Sequence, residues 1–137
     1  MIRRMDHFTI VTDRLDQTVA FYEMLGLNTG PRPDFGVGGA WLYVEDHPVL
    51  HIVATVTMPE PRRGALDHMA FFAVDFQAAA SRILAAGLTY RVIRTPRPFS
   101  LWQMFLYDPN GVEVELDFAA EETPPADWKA HAGLELR

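Results

Sequence analysis

The sequence lacks three features that would direct the protein out of the cytoplasm. It has no cysteine, no run of 18 apolar residues, and no basic N-terminus followed by an apolar segment. These absences argue against a disulfide-bonded secreted protein, a membrane-spanning helix and a secretory signal. We therefore expect a reduced, soluble, cytoplasmic protein.

An excess of positive charge is also missing. Twelve Lys and Arg residues stand against 18 Asp and Glu residues, which gives a net charge of −6. The basic residues are scattered apart from short pairs such as Arg3-Arg4 and Arg62-Arg63, and a negative field repels phosphate backbones. Nucleic acid is therefore not an expected partner. The length of 137 residues and an apolar content of 49% instead suffice for a compact core.

Two stretches of the sequence match each other at a displacement of 61 positions. They are "DHFTIVTDRLDQTVAFYEMLGL", beginning at Asp6, and "DHMAFFAVDFQAAASRILAAGL", beginning at Asp67. Both begin with an Asp-His pair and end with Gly-Leu. Such a repeat predicts two copies of one supersecondary unit.

Each copy has the pattern of a strand followed by a helix. The runs "HFTIV" and "HMAFFAV" have the length and composition of strands, and the apolar residues after them recur at helical spacing. Asp13 and Asp75 precede the predicted helices as N-caps, whereas Gly26 and Gly87 follow them as left-handed C-terminal residues.

Short β-rich runs follow each helix, and "DPNG" between the last two predicts a tight hairpin turn. We assign residues 1–57 to a first βαβββ module, the proline-rich residues 58–65 to a linker and residues 66–118 to a second module. The tail, 119–137, has no clear period. It is predicted to be either a mobile appendage or an arm that packs on a neighbouring copy.

Four potential metal ligands occupy equivalent positions in the two copies. His7 matches His68 in the first strands, and a displacement of 64 places His51 on Glu115 in the last strands. A pseudo-twofold packing of the copies would bring all four to one point. Three imidazoles and one carboxylate suit a divalent zinc, iron, manganese, cobalt or nickel ion.

A structural alternative exists for each of these residues. A single histidine on an apolar strand is commonly a hydrogen-bonded core or rim residue, and Glu115 shares a strand face with Glu113 and Asp117 that could be solvated. The joint placement favours the metal site, because an imidazole without a partner on an apolar strand would be costly.

The ordered set of motifs resembles the vicinal oxygen chelate superfamily, which includes glyoxalase I, extradiol dioxygenases, methylmalonyl-CoA epimerase and drug-resistance proteins. The resemblance covers residues 5–118 through the two "DH" strand starts, "FYEMLGL", "LDHMAF" and "DPNGVEVEL". It implies an α+β fold in which paired βαβββ modules curve into a sheet cup around one divalent metal ion, commonly in a homodimer. It also implies that His7, His68 and Glu115 are metal ligands.

His51 stands where glyoxalase I has a glutamate ligand and the epimerase a glutamine. If His51 binds, two open sites suit bidentate capture of a small organic substrate with vicinal oxygens, and lyase or isomerase chemistry through an enediolate. If it does not, a two-His-one-carboxylate triad leaves three sites for substrate and dioxygen, as in a dioxygenase. The catalytic proton carrier is expected to be Glu115 or His51.

The expected substrate pocket is defined less sharply. Resemblance to fosfomycin-resistance proteins places Gln103 and Phe105 in the cup, and Thr9 lies on the same strand face as His7. Four aromatic residues could form a wall of the pocket: Trp41, Tyr43, Phe99 and Trp102. An ordinary role in the core or in a dimer interface is an equal alternative for each of them. The region lacks the lysine and serine cluster that a phosphonate would need.

Two other functions fit the same fold. One is a metal-free protein of the bleomycin-resistance type that sequesters a small-molecule drug, and the other is a structural or regulatory dimer. Sequestration needs no set of four ligands, so the sequence favours the enzyme.

Overall fold

The computed structural model describes residues 1–133. Contacts divide the chain into two units, Met1–Gly64 and a second that begins at Ala65. This boundary falls within the predicted linker. Among residues 1–133, no helix has the length and apolar character needed to cross a membrane.

The first unit has the element order βαβββ. It contains β1 (Phe8–Thr12), α1 (Leu15–Met24), β2 (Asn28–Gly30), β3 (Gly39–Val44) and β4 (His47–Ala54). The strands form a mixed sheet in the order β1-β4-β3-β2, in which β1 runs parallel to β4 and the other neighbours are antiparallel.

The second unit repeats this order. It contains β5 (His68–Phe72), α2 (Phe76–Ala85), β6 (Arg91–Arg94), β7 (Trp102–Tyr107) and β8 (Glu113–Phe118), with the sheet order β5-β8-β7-β6. The predicted α+β class with two βαβββ units is confirmed. The predicted βαβββ order includes a strand at this place, but the sequence pattern did not locate β2, because its three residues, Asn-Thr-Gly, show neither an apolar run nor alternation.

Each unit has its own buried apolar residues. In the first unit, Tyr22 of α1 and Leu50 of β4 are fully buried. In the second, the ring of Phe76 at the start of α2 stacks on Phe118 of β8 with centroids 4.5 Å apart. Burial of such side chains contributes about 1.5–3 kcal/mol each and fixes the helix on one face of its sheet.

Both helices end as the sequence predicts. Gly26 and Gly87 have φ values of 107° and 74°. After each glycine, a leucine N–H donates to a carbonyl five residues earlier, from Leu27 to Tyr22 at 3.0 Å and from Leu88 to Ile83 at 3.1 Å. This is the Schellman arrangement, in which a left-handed residue lets the chain satisfy the last carbonyls.

The predicted N-caps have different outcomes. Asp75 caps α2, since its carboxylate accepts a hydrogen bond from the N–H of Ala78 at 3.1 Å. The prediction for Asp13 is wrong, because Arg14 occupies the cap position of α1 without a side-chain cap. Instead, the hydroxyl of Thr12 accepts from the N–H of Arg14 at 2.9 Å.

The predicted hairpin joins β7 to β8. The carboxylate of Asp108 accepts hydrogen bonds from the N–H groups of Asn110 at 2.7 Å and Val112 at 2.9 Å, and Gly111 has a φ of 82°. This turn sets a register in which Phe105 lies opposite Glu115.

The described part of the tail packs on the second unit. The indole N–H of Trp102 donates to the carbonyl of Glu122 at 3.1 Å, and the rings of Trp102 and Trp128 lie 5.0 Å apart. The Glu122 carboxylate also accepts from the N–H groups of Asp75 and Phe76 at the start of α2. The sequence predicted either a mobile appendage or an arm that packs on a neighbouring copy. Neither alternative included contacts of the tail within its own unit. Residues 134–137 of the predicted tail lie outside the described residues.

Candidate functional site

Strand register places the candidate ligands at equivalent positions in the two sheets. Thr9 of β1 lies opposite His51 of β4, and Ala70 of β5 lies opposite Glu115 of β8. The pairs are related by the displacements that the repeat predicts. Each unit therefore carries one candidate ligand at the start of its first strand and another on the adjacent last strand.

In the first unit, the His51 imidazole lies between two other rings. It stacks on His7 with centroids 3.7 Å apart and an interplanar angle of 17°, and on Trp41 at 4.0 Å and 8°. Trp41 is its cross-strand partner on β3. Because stacking on two sides fixes a ring plane, the direction in which the His51 nitrogens point is also fixed.

The Nε2 atom of His51 is buried and has no hydrogen-bond partner among residues 1–133. Burial is the main cause that lowers the pKa of His51, and the neighbouring His7 adds to the effect. A buried, neutral imidazole with an unpartnered nitrogen has the chemistry of a metal ligand.

In the second unit, His68 and Glu115 are in direct contact. The Nε2 atom of His68 lies 3.0 Å from Oε2 of Glu115. The side-chain amide of Gln103 donates to the other oxygen of Glu115, and also to Asp117 at 3.0 Å. The carboxyl group is therefore held on both oxygens.

Glu115 is only 5% exposed, so it does not lie on a solvated sheet face. The pKa of Glu115 is raised to about 7, mainly by burial and in addition by the hydrogen bond and the charge of Asp117. His68 and Arg91 act in the opposite direction. A carboxyl group with this pKa can both hold and release a proton near neutral pH.

Both units orient the first-strand imidazole with the aspartate that precedes it. Oδ2 of Asp6 lies 2.8 Å from Nδ1 of His7, and Oδ2 of Asp67 lies 2.8 Å from Nδ1 of His68. A carboxylate on Nδ1 fixes the neutral tautomer that leaves Nε2 free to bind a metal ion. These aspartates were not among the predicted site residues, although the repeated Asp-His pair was a signal that could have identified them.

Among residues 1–133, no group of three or more His, Cys, Asp or Glu residues is gathered into a metal site. The four candidate ligands instead form one pair in each unit. Each pair fits a metal ion in its chemistry. The first offers an unpartnered buried nitrogen, and the second a buried carboxyl beside an oriented imidazole.

Among the predicted pocket residues, Gln103, Phe105 and Trp41 adjoin the candidate ligands. Gln103 binds Glu115, as described. The Phe105 ring lies edge-on to the His68 ring, with centroids 6.3 Å apart. The guanidinium carbon of Arg91 lies 3.8 Å from the centroid of the Phe105 ring. Thr9 is exposed and lies opposite His51 in the sheet. Sequence reasoning missed Arg91, which also forms a 2.7 Å ion pair with Glu113.

Trp102 does not lie with Gln103 and Phe105. Successive strand residues face opposite sides of a sheet, so Trp102 points away from both. Its ring packs against Phe76 of α2 at 5.8 Å and against Trp128. Trp102 therefore has the contacts of a core residue. The sequence left this role open as the alternative to a place in the pocket wall.

Within residues 1–133, the two other aromatic candidates form no ring contact or hydrogen bond with a candidate ligand. The Tyr43 hydroxyl donates to the carbonyl of Pro31 at 2.6 Å. The side chain of Phe99 is 73% exposed.

Solved structures with the same fold cover nearly the whole chain. A candidate member of the glyoxalase family from Bacillus anthracis has 21% identity and a TM-score of 0.70, with coverage of 87% of this chain and 97% of its own. A glyoxalase/bleomycin resistance protein/dioxygenase domain from Frankia sp. EAN1pec has 18% identity and a TM-score of 0.69, covering 90% and 96%. A lactoylglutathione lyase from Agrobacterium tumefaciens has 21% identity and a TM-score of 0.62, covering 85% and 94%.

At these identities, the structural likeness shows the fold alone. The comparison with curated proteins gives no significant match. A sequence model of one family, described as Glyoxalase/Bleomycin resistance protein/Dioxygenase superfamily, matches residues 4–116. Because this match spans most of the chain and agrees with the resemblance seen in the motifs, the chain belongs to the glyoxalase/bleomycin resistance protein/dioxygenase superfamily.

Proposed function

We propose that the protein is a divalent-metal-dependent enzyme that acts on a small organic substrate with vicinal oxygens. His7, His51, His68 and Glu115 are the proposed metal ligands. The ion would be iron, manganese, zinc, nickel or cobalt, all of which accept imidazole and carboxylate ligands. When bound, it would supply Lewis acidity that polarises the substrate oxygens.

The observation that carries this proposal is the repeated pairing of ligand-type side chains. In each unit, an imidazole oriented by an aspartate at 2.8 Å lies next to a second ligand-type side chain on the adjacent strand. The contacts are the 3.7 Å ring stacking of His7 and His51 and the 3.0 Å contact of His68 and Glu115. A structural role would not require the same arrangement twice.

Glu115 is the proposed proton carrier. Its Oε2 atom lies 3.0 Å from Nε2 of His68 and Gln103 holds its other oxygen, so the carboxyl group is positioned to exchange a proton with a substrate beside it. His51 is the second candidate, because its Nε2 atom has no hydrogen-bond partner among residues 1–133. If His51 binds the metal ion, the proposed reaction is that of a lyase or isomerase, and if it stays unbound, that of a dioxygenase.

The pocket that we propose around these groups contains Thr9, Trp41, Gln103 and Phe105. The proposed assembly is a homodimer. The four ligands could be supplied by one chain or by two copies of it.

Metal-dependent thermal stabilisation tests the proposal. A ligand that binds only the native state must raise the midpoint of unfolding. We expect the chelator-treated protein to gain stability when Mn²⁺, Zn²⁺ or Ni²⁺ is added, and we expect His68→Ala to lose this gain. His131→Ala is the matched control, since His131 stacks on Tyr90 and contacts none of the proposed ligands.

If the wild-type protein binds no metal ion, the enzyme proposal fails. The metal-free binding protein of the bleomycin-resistance type then becomes the better explanation. If His131→Ala loses the stabilisation as completely as His68→Ala does, the effect does not come from the proposed site.

A further inference from the structure

Arg32 in the β2–β3 connection is a cation without an acidic partner among residues 1–133. Its Nε atom is buried and makes no hydrogen bond among residues 1–133, and none of the ion pairs within those residues involves Arg32. The nearby Asp34 is engaged elsewhere, since its carboxylate accepts from the N–H of Gly36 at 2.8 Å. A buried guanidinium donor without an acceptor is costly, so this group is suited to bind a ligand.

The packing around Arg32 holds the guanidinium in place. Its central carbon lies 5.0 Å from the centroid of the Phe35 ring. On β3, the guanidinium lies against Gly39, where an added Cβ would clash with the carbonyl oxygen of Ile52 and would lie 3.0 Å from a terminal nitrogen of Arg32. A guanidinium held by an aromatic face and a glycine keeps its fork of donors in a fixed direction.

A row of rings connects Arg32 to the proposed ligand His51. Phe35 lies 6.1 Å from Trp41, and Trp41 stacks on His51 at 4.0 Å. Three side-chain atoms are buried without a partner within residues 1–133, and two of them, Arg32 Nε and His51 Nε2, lie at the ends of this row.

We propose that the first unit binds an aromatic carboxylate, with the carboxylate group on Arg32 and the aromatic body against Phe35 and Trp41. A carboxylate matches the planar fork of a guanidinium and removes the unsatisfied donor. The Phe35 side chain is 58% exposed and offers an apolar surface beside the charge. The inference rests on the proposed function in that it names the substrate class of the same site.

Benzoate and its neutral isostere benzamide test this assignment. Each is titrated into the metal-free protein while the indole N–H signal of Trp41 is followed by NMR. We expect benzoate to bind at least about tenfold more tightly than benzamide, because a hydrogen bond to a charged group has this effect. Arg32→Gln should abolish the preference, and Arg32→Lys, which keeps the charge but not the fork, should retain part of it.

Arg14→Gln is the matched control. It removes the same charge from an exposed arginine that contacts Asp13 at 3.7 Å, so the preference for benzoate should persist. Thermal unfolding without ligand verifies that each variant is folded. Equal binding of benzoate and benzamide, binding of neither, or a preference that survives in Arg32→Gln would overturn the assignment. Because the protein is metal-free, the result does not depend on whether the metal site exists.

Discussion

At the residue scale, Asp6 and Asp67 connect the sequence repeat to its proposed chemistry. Each precedes a histidine and lies 2.8 Å from the Nδ1 atom of that imidazole. The hydrogen bond from His7 is the main cause that lowers the pKa of Asp6. Both aspartates are placed to orient their histidines, with the Nε2 atom of each imidazole directed away from the aspartate.

Asp67→Asn should weaken metal binding without removing a ligand. The substitution replaces the carboxylate on His68 by a neutral amide, which lowers the basicity of the imidazole and loosens its orientation. We expect the metal affinity to fall about 10- to 100-fold, as measured by competition with a fluorescent chelator. Asp16→Asn, an equivalent change at an exposed position of α1, is the control and should leave the affinity unchanged. An unchanged affinity in Asp67→Asn would show that Asp67 has no part in the site.

Glu115 should make the stability of the metal-free protein depend on pH. Its pKa is raised from 4.5 to about 7 in the folded state. Between these pH values the folded protein therefore holds more protons than the unfolded chain does, so the free energy of unfolding falls as the pH rises. We expect Glu115 to contribute a loss of about 1–3 kcal/mol over this interval.

Urea unfolding at a series of pH values measures this loss. In Glu115→Gln, the contribution of this residue should vanish, whereas Glu121→Gln, a change at an exposed glutamate, should retain the wild-type dependence. A difference in stability between wild type and Glu115→Gln that stays constant from pH 4.5 to 7 would contradict the raised pKa.

The repeat marked the four candidate ligands in the sequence, and the family resemblance added Gln103 and Phe105. His7, His51, His68 and Glu115 stand out because each has a counterpart at a fixed displacement. Arg32 and Arg91 lie outside the matching stretches. Their roles come from packing on Phe35 and Phe105, which no local pattern encodes.

At the scale of the elements, local chemistry explains which helix ends were predicted correctly from the sequence. The glycines that end the helices were recognised because the left-handed residue and its hydrogen bonds involve only neighbouring residues. The start of α1 was mispredicted because the Thr12 hydroxyl, rather than Asp13, binds the N–H of Arg14. Several side chains near a helix start can bind its first N–H groups, so the sequence leaves the choice open.

Gly87→Ala should destabilise the second unit by about 1–2 kcal/mol. The Gly87 φ is 74°, and an added Cβ would meet no atom within 4 Å, so the cost comes from backbone conformation alone. Gly64→Ala is the control, because Gly64 also has open space around it but is not held at such a positive φ. Thermal unfolding compares the two. Equal stability of both variants would mean that the backbone at the end of α2 can accommodate an alanine without a loss of free energy of unfolding.

At the scale of the whole molecule, the tail is the part that the sequence described least well. Residues 119–133 have no periodic pattern, and their contacts come from scattered side chains such as Glu122, Trp128 and His131 and from a backbone bridge of Ala132 to Val92 rather than from a regular face. A pattern search detects repeated spacing and misses such contacts. The two βαβββ units, in contrast, were visible because their first strands, their helices and their last strands repeat.

Truncation after Phe118 should therefore lower the stability of the protein. It removes the Glu122 carboxylate from the start of α2 and exposes the Trp102 ring. Loss of the helix-start contacts alone costs about 0.5–2 kcal/mol, and the lost ring contacts add to it. Denaturant unfolding is the measurement. A chain that ends at Gly133 keeps these contacts and is the control. Equal stability of the two truncated proteins would show that the tail contacts contribute nothing.

The stoichiometry of cobalt binding tests the central claim most directly. If His7, His51, His68 and Glu115 serve one ion, a titration of the metal-free protein followed by the d–d absorption of Co²⁺ should saturate at one equivalent per chain. Loss of any of His7, His68 or Glu115 should weaken that single site. Saturation at two equivalents per chain, with each site sensitive only to substitutions in its own unit, would contradict the claim, as would the absence of binding.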